Sequence, residues 1–126
     1  MSININQIEI GTDIEEIARF QGKSLENDSH FFSHIFTNKE LDYCFSKSHP
    51  AQHLCARFCA KEAITKALCG FKVKDVLLND IEILNEENGR PYINLVKHPE
   101  YIIKISLSHT KIFATATAII YKIKKN

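Results

Sequence analysis

Alternation of apolar and polar residues predicts a strand near the start of the chain. Ile8 and Ile10 alternate with polar neighbours, so we expect a β-strand over Gln7–Thr12. Gly11 favours a tight turn at the end of this strand, and the residues beyond it have helical spacing. The apolar face of the helix predicted there carries Ile14, Ile17 and Phe20.

The middle of the chain has the signals of two further helices. Thr37 and Glu40 have the spacing of a capping box, which predicts a helix start, and Pro50 with its polar neighbours ends that helix. Between Ala51 and Cys69 there is neither glycine nor proline, and good helix formers dominate. We therefore expect the longest helix here, with Gly70 as the residue that stops it.

The second half of the chain has the pattern of antiparallel strands. We expect one strand over Val76–Leu84 and a return strand after Asn88–Gly89, which is a strong hairpin signal. Two more strands are predicted at Ile102–Ser108 and Ile112–Tyr121. The predicted fold is a single α+β domain over residues 1–126, with an N-terminal strand and helices followed by an antiparallel β-sheet.

One face of the last predicted strand consists of methyl groups, because Ala114, Ala116 and Ala118 alternate with Thr115 and Thr117. Side chains this small allow a neighbouring element to approach closely. We expect either a packed helix or a neighbouring subunit to cover this face.

Composition and charge exclude several classes of partner. The chain has 126 residues, of which 16 are Lys or Arg and 15 are Asp or Glu. A net charge of +1 is too small to indicate binding to nucleic acid. No apolar run approaches the roughly 18 residues that a membrane span needs, and the N-terminus lacks the pattern of a signal peptide. We therefore expect a cytoplasmic protein with neither nucleic acid nor a membrane as partner.

The four cysteines, Cys44, Cys55, Cys59 and Cys69, are predicted to be reduced. Three of them lie on the long predicted helix, where a bond between Cys55 and Cys59, one turn apart, would link no distant segments. Their spacing from nearby histidines matches no zinc-site pattern. Small buried side chains in a reducing compartment account for them better.

The long predicted helix carries charges on its apolar side. At about 100° per residue, Glu62 and Lys66 fall on the same arc as Phe58, Cys55 and Cys59. Burying a carboxylate is costly unless a cation, a metal or several donors compensate it. The pair is therefore either an i, i+4 ion pair that supports the helix or part of a functional site.

Asp13 also has two interpretations. Thr12 with Glu15, and Asp13 with Glu16, have the spacing of capping boxes, so Asp13 is a candidate for a helix N-cap. In the alternative, Asp13 is a carboxylate at the end of the first strand, where a rigid backbone aims it at a ligand.

Five segments together carry a family resemblance. They are Gly11–Ile17, Phe36–Leu41, Arg57–Ala67, Asn88–Tyr92 and Ser106–Thr110. In this order and at these separations they resemble the holo-[acyl-carrier-protein] synthases, the short single-domain type of 4′-phosphopantetheinyl transferase. The resemblance covers almost the whole chain and implies the α+β fold of that family.

The resemblance implies a transfer that uses coenzyme A as a substrate and depends on Mg²⁺, with Mn²⁺ as the alternative ion. A serine hydroxyl of acyl carrier protein would attack the β-phosphorus of coenzyme A, receive 4′-phosphopantetheine and release adenosine 3′,5′-bisphosphate. Asp13 and Glu62 match the family's metal ligands, and Mg²⁺ favours such hard oxygen donors. The base that takes the serine proton is either Glu62 or a metal-bound hydroxide.

The same resemblance implies which residues contact coenzyme A. They are Lys61, Lys66, Gly89, Arg90, Pro91, Ser108, His109 and Thr110. Lys66 is the stronger candidate of the two lysines, because it shares the arc of Glu62, and it is also expected to act in catalysis. Considered alone, His109 is an ordinary turn histidine and residues 89–91 are an ordinary hairpin turn.

The implied partner is an acyl carrier protein, and the implied assembly is a homotrimer with active sites between protomers. Arg19 and Lys23 are the expected contacts to the acidic carrier protein, although Glu15, Glu16 and Glu26 dilute their charge.

Two other hypotheses compete with the transferase. One is a binding module that has lost catalysis, and the other is a structural trimer in which Glu62 and Lys66 form only a salt bridge. A structural trimer should show no Mg²⁺-dependent stabilisation by coenzyme A.

Overall fold

The computed structural model describes residues 4–124, so residues 1–3 and 125–126 of the predicted domain lie outside this range. The first strand, β1, is followed by a short 3₁₀ turn, three helices, a second 3₁₀ turn and four more strands. Their bounds are β1 Asn4–Glu16, the 3₁₀ turn Ile17–Phe20, α1 Ser29–Ser33, α2 Asn38–Phe45, α3 Pro50–Gly70, the 3₁₀ turn Leu78–Asp80, β2 Glu82–Asn85, β3 Pro91–Asn94, β4 Tyr101–His109 and β5 Phe113–Lys124. The α+β class is confirmed.

The strands form two antiparallel sheets. β1, β5 and β4 make a three-stranded sheet in that order, and β2 pairs with β3 in a hairpin. The predicted hairpin turn is confirmed: Gly89 has φ 88°, and its N–H donates to the Glu86 carbonyl at 2.8 Å. Of the strand predicted over Val76–Leu84 only the last part is present, because the Asp80 carboxylate accepts from the Leu77 N–H at 2.8 Å and closes a 3₁₀ turn instead.

β1 is longer than predicted, and residues 12–16 continue the strand where a helix was expected. Each residue from Gly11 to Glu16 has a partner on β5. Pairing with a distant part of the chain therefore outweighs the helical spacing of the local apolar residues. The capping interpretations of Thr12 and Asp13 are wrong, and Asp13 lies within the strand.

The first strand and α3 pack with their backbones in contact. A Cβ atom on Gly11 would overlap with the carbonyl oxygen of Ala63, so glycine serves close packing here rather than a turn. Ala114, Ala116 and Ala118 of β5 are buried on the same side of the sheet, which α3 covers. A helix of the same chain, and not a neighbouring subunit, therefore covers the methyl face.

The middle helices agree closely with the prediction. Thr37 and Glu40 form the capping box of α2, in which the Thr37 N–H donates to Glu40 Oε1 at 2.8 Å. α3 extends one residue beyond the predicted bounds at each end, and Gly70 is its last residue rather than the stop. Lys72, with φ 64°, has the left-handed conformation that commonly follows the end of a helix.

The three-stranded sheet has one covered face and one open face. α3 is buried along most of its length against the covered face. On the other face Ile8, Ile10 and Ile14 of β1 are 60%, 67% and 64% exposed. None of the helices within residues 4–124 is long and apolar enough to cross a membrane.

All four cysteines are free thiols. Cys44, Cys55 and Cys59 are buried as predicted, whereas Cys69 is exposed near the end of α3. Burial raises the pKa of Cys44 to about 12, so this side chain stays a protonated, apolar filler of the core.

Candidate active site

Asp13, Glu62 and Lys66 meet where β1 packs on α3. Lys66 Nζ lies 3.2 Å from Asp13 Oδ1 and donates to the Thr12 carbonyl at 2.9 Å. The side chain of Asp13 is 18% exposed and that of Lys66 is 56% exposed, so the pair lies at an opening to solvent. The predicted metal ligands and the predicted catalytic lysine are therefore brought together on one flank of α3.

The surroundings of Glu62 disfavour its negative charge. Partial burial raises the pKa of this carboxyl, the Asp13 carboxylate raises it further, and Lys66 and Arg19 oppose the rise. A cation bound between Asp13 and Glu62 would stabilise the charged form of both carboxylates.

The donor set of this point suits Mg²⁺. Asp13 and Glu62 offer hard oxygen ligands, and Mg²⁺ is commonly held by one or two carboxylates while phosphate and water complete its octahedron. Within residues 4–124 no set of three or more His, Cys, Asp or Glu side chains is arranged to hold an ion. The pair therefore fits a metal that is shared with a phosphorylated substrate.

Lys61 is not available to a phosphate. Its side chain and that of Glu40 are 0% exposed, and Lys61 Nζ lies 2.8 Å from Glu40 Oε1. The same ammonium donates to the carbonyl of Leu78 at 3.0 Å and to the carbonyl of Ile81. All of its N–H bonds are used inside the core, so the prediction that Lys61 contacts coenzyme A is wrong.

Five of the six remaining predicted contacts to coenzyme A line a pocket of about 540 Å³, and the sixth, Thr110, does not. Its predicted members are Gly89, Arg90, Pro91, Ser108 and His109, and its other lining residues are Tyr43, Gln52, His53, Ala56, Arg57, Asn85, Ile105, Ser106 and Leu107. Two guanidinium groups and two imidazoles line the pocket, and none of its lining residues is a carboxylate. This charge pattern favours an anionic ligand.

His53 and His109 lie at the wall of this pocket. Burial lowers the pKa of His53, and the charges of Arg57, Lys47 and His109 lower it further. His109 Nε2 lies 3.0 Å from Gln52 Nε2 on the first turn of α3, which fixes the ring at the pocket wall.

Arg57 is the most deeply buried cation of the pocket, at 3% exposure. Its Nη2 donates to Asn85 Oδ1 at 2.6 Å, and its guanidinium carbon lies 4.1 Å from the centroid of the Tyr43 ring. Within the described part of the chain Arg57 Nε has no hydrogen-bond partner. A buried guanidinium without a carboxylate is costly, and a bound anion would compensate it.

Our sequence reasoning assigned no role to Arg57. The one local signal is the lack of an acidic residue three or four positions away with which Arg57 could pair on the helix, and Lys61 shares it. Here His53 and Lys61 occupy the positions four residues before and after Arg57, and Leu54 and Ala60 the positions three away.

The carboxylate pair and the pocket lie on opposite flanks of α3. At 100° per residue, Glu62 and Arg57 point about 140° apart around the helix axis. Asp13 and Ser108 lie on β1 and β4, which are separated by β5 and so by roughly 10 Å. Within one chain the two sets of predicted residues therefore lie on different sides of α3.

Thr110 closes the turn between β4 and β5. Its Oγ1 accepts from the N–H groups of Ile112 and Phe113 at 3.2 and 3.0 Å. The structure thus gives Thr110 a turn-forming role, and its contact with a phosphate stays a prediction.

The two predicted contacts to a carrier protein lie at the surface and have acidic neighbours of their own. Arg19 Nη1 lies 2.7 Å from Glu15 Oε2, and Lys23 Nζ lies 4.0 Å from Asp28 Oδ1. Their role toward a partner also stays a prediction.

Comparison with known sequences relates this chain to one family. The model of the 4′-phosphopantetheinyl transferase superfamily matches residues 9–119. A holo-[acyl-carrier-protein] synthase of Protochlamydia amoebophila is 41% identical over 118 residues, which cover 87% of this chain and 94% of that protein. The synthase of Chlorobaculum parvum is 39% identical over 114 residues, covering 90% and 97%.

Comparison with solved structures agrees. A holo-(acyl-carrier-protein) synthase from Bacillus anthracis in complex with CoA (3′,5′-ADP) has a TM-score of 0.74 at 29% identity and covers 96% of this chain and 99% of that chain. The synthase of Helicobacter pylori in complex with coenzyme A also has a TM-score of 0.74, at 28% identity, with 88% and 98% covered. The fold implied by the sequence resemblance is therefore confirmed.

Proposed function

The chain belongs to the 4′-phosphopantetheinyl transferase superfamily, and we propose that it transfers 4′-phosphopantetheine from coenzyme A to a serine of acyl carrier protein. Relatives with this activity in their names match it over nearly their whole length, and two similar structures contain coenzyme A or its nucleotide. The observation that carries the proposal is the meeting of Asp13, Glu62 and Lys66 at one point of this fold.

The carboxylate flank of α3 supplies positioning and charge. Asp13 and Glu62 would hold Mg²⁺, which when bound supplies positive charge at the pyrophosphate of coenzyme A. Lys66 lies beside Asp13 and is exposed, so its ammonium can donate to a phosphoryl oxygen where negative charge develops.

The reaction exchanges one phosphorus–oxygen bond for another. The serine oxygen forms a bond to the β-phosphorus, the bond from that phosphorus to the leaving oxygen breaks, and adenosine 3′,5′-bisphosphate departs. The serine proton must pass to a base. Glu62 is our candidate, because it lies with Asp13 and Lys66 at the point where the β-phosphorus is expected to be held.

The pocket on the other flank binds the phosphates of the nucleotide. Arg57 and Arg90 supply positive charge. Ser108 and His109 supply a hydroxyl and an imidazole N–H as hydrogen-bond donors in the same pocket. Gly89 and Pro91 shape the hairpin turn that carries Arg90, and Thr110 holds the loop after His109.

We further propose that the protein is a homotrimer with its active sites between protomers. In this trimer the carboxylates of one copy and the pocket of another would meet around one coenzyme A, since the two lie on opposite flanks of α3 within one chain. The open sheet face, with Ile8, Ile10 and Ile14 exposed, offers an apolar surface for such an assembly.

The carrier protein is proposed to dock beside the carboxylate flank, at Arg19 and Lys23. Arg19 follows β1 directly in the chain and lowers the pKa of Glu62 through its charge, so a partner held there would present its serine close to Glu62. We propose that the reaction takes place in the cytoplasm, since the four free thiols suit a reducing compartment.

Intact-mass spectrometry of an apo acyl carrier protein tests the proposal. After incubation with this protein, coenzyme A and Mg²⁺, we expect a mass gain of one phosphopantetheine that a chelator abolishes. Binding of coenzyme A without transfer to any of several carrier proteins would indicate a binding module instead. If the protein neither binds coenzyme A nor transfers phosphopantetheine, the structural-trimer hypothesis remains.

A further inference from the structure

Asn85, at the end of β2, connects two walls of the pocket. Its Oδ1 accepts from Arg57 Nη2 at 2.6 Å, and its Nδ2 donates to the carbonyl of Gly89 at 2.9 Å. One side-chain amide therefore holds the guanidinium of α3 and the hairpin turn before Arg90 in a fixed relation.

Tyr43 of α2 supports the guanidinium from a second direction. The Arg57 guanidinium carbon lies 4.1 Å from the centroid of the ring, which restrains the plane of the group. Asn85 then restrains its rotation within that plane. The Tyr43 ring and the Asn85 amide are both uncharged, so neither of them neutralises the positive charge of Arg57.

An amide is suited to this position for a physical reason. A carboxylate of the same shape would form an ion pair with Arg57 and compete with any phosphate for it. An aliphatic side chain would leave a buried N–H without its acceptor and the guanidinium free to turn. Only a neutral acceptor directs the group and leaves its charge to a ligand.

We propose that Asn85 is a positioning residue that orients Arg57 and the Gly89–Arg90 turn toward a phosphate of the adenosine bisphosphate part of coenzyme A. This inference rests on the proposed function. Asn85 acts through Arg57 and the turn and does not touch the phosphate itself. Groups held in advance in their binding geometry lose less freedom when the ligand binds, and affinity rises accordingly.

Asn85→Asp tests the inference with almost no change of shape. We expect the Kd of adenosine 3′,5′-bisphosphate, measured by calorimetry, and the KM for coenzyme A to rise by about tenfold or more. The value of kcat at saturating coenzyme A should stay within about twofold, because the carboxylate flank is untouched. Thermal unfolding of each variant shows whether it is folded.

Asn94→Asp is the matched control. Asn94 lies in the same hairpin, is exposed, donates to Glu82 Oε1 at 3.3 Å and is not part of the pocket lining. This change adds the same negative charge, but on β3 and outside the pocket. We therefore expect the Kd of the bisphosphate and the KM for coenzyme A to stay within about twofold of the wild-type values.

A double-mutant cycle shows whether Asn85 acts through Arg57. We expect Asn85→Ala to raise the Kd of the bisphosphate several-fold in the wild-type background and clearly less in an Arg57→Gln background. Equal increases in both backgrounds would overturn the positioning role.

The outcomes separate this inference from the function on which it rests. If the wild-type protein transfers phosphopantetheine while Asn85→Asp and Asn94→Asp bind the bisphosphate equally well, only the role of Asn85 is wrong. If the wild-type protein neither transfers nor binds, both proposals fail.

Discussion

Lys61 and Lys66 lie little more than one turn apart on α3, yet their ammonium groups have opposite surroundings. Lys61 is 0% exposed and paired with Glu40, while Lys66 is 56% exposed beside Asp13. Burial lowers the pKa of Lys61 and the Glu40 charge opposes this, which shows how much the lysine depends on its partner.

Substituting methionine for each lysine should therefore have different effects. Lys61→Met leaves the Glu40 carboxylate buried without its cation, so we expect a loss of about 3–5 kcal/mol in the free energy of unfolding. Lys66→Met removes a surface contact, so stability should change by at most about 1 kcal/mol while transfer activity falls by about 100-fold or more. Urea unfolding and the mass-spectrometric assay measure the two effects. Equal stability losses in the two variants would contradict the assignment of Lys61 to the core.

Glu62→Gln should separate stability from activity. The pKa of Glu62 is raised in the folded protein, so protonated Glu62 stabilises the folded state. This stabilisation is complete below the ordinary glutamate pKa and is lost as the pH rises through the raised pKa of the folded protein. Glu62→Gln has no carboxyl group at this position and therefore loses no stability in this way. We expect its Tm to exceed that of the wild-type protein by roughly 1–3 °C at pH 7, and the difference to vanish near about pH 4. Activity should fall by about 100-fold or more.

Glu86→Gln is the control for this experiment, because Glu86 is an exposed glutamate in the β2–β3 hairpin. It should change neither activity nor the pH dependence of the Tm. Retained turnover in Glu62→Gln would refute the metal and base assignments of that residue.

The close contact between β1 and α3 depends on the absence of a side chain at Gly11. Gly11→Ala would place a methyl group against the backbone oxygen of Ala63, which cannot move without shifting the helix. We expect a loss of about 1–3 kcal/mol in the free energy of unfolding and a displaced Asp13, hence lower activity. Gly70→Ala, whose added methyl group would first meet the movable side chain of Glu9, serves as the comparison in urea unfolding and should cost clearly less.

Elements that depend on neighbouring residues were predictable from the sequence. The Thr37–Glu40 capping box, the Gly89 turn and the bounds of α3 follow from a few adjacent positions. β1 was predicted too short because its last residues are ordered by β5, about a hundred positions further along the chain, and not by local spacing.

The candidate site divides in the same way. Asp13, Glu62 and Lys66 were predicted to share one site because the family resemblance joins Asp13 with Glu62 and because Lys66 shares the helical arc of Glu62. The burial of Lys61 and the exposure of Arg57 to a pocket depend on side chains from α2 and β2, and no spacing within α3 distinguishes these two cations.

The proposed assembly predicts complementation between two variants that are each inactive at a coenzyme A concentration near the wild-type KM. Glu62→Gln damages one flank of α3 and Arg57→Gln the other. If one site takes its carboxylates from one protomer and its pocket from the next, mixed trimers contain some sites with both halves intact. Random mixing in equal amounts should restore about a quarter of the wild-type activity.

Complementation is measured after the two variants are unfolded together and refolded, with each variant refolded alone as the control. A mixture as inactive as its parts would show that both halves belong to one chain.

If the proposed trimer builds each site from one flank of α3 on one chain and the other flank on its neighbour, turnover depends on the concentration of the protein. Dilution below the dissociation constant of that trimer should then abolish catalysis, so the specific activity should rise with protein concentration.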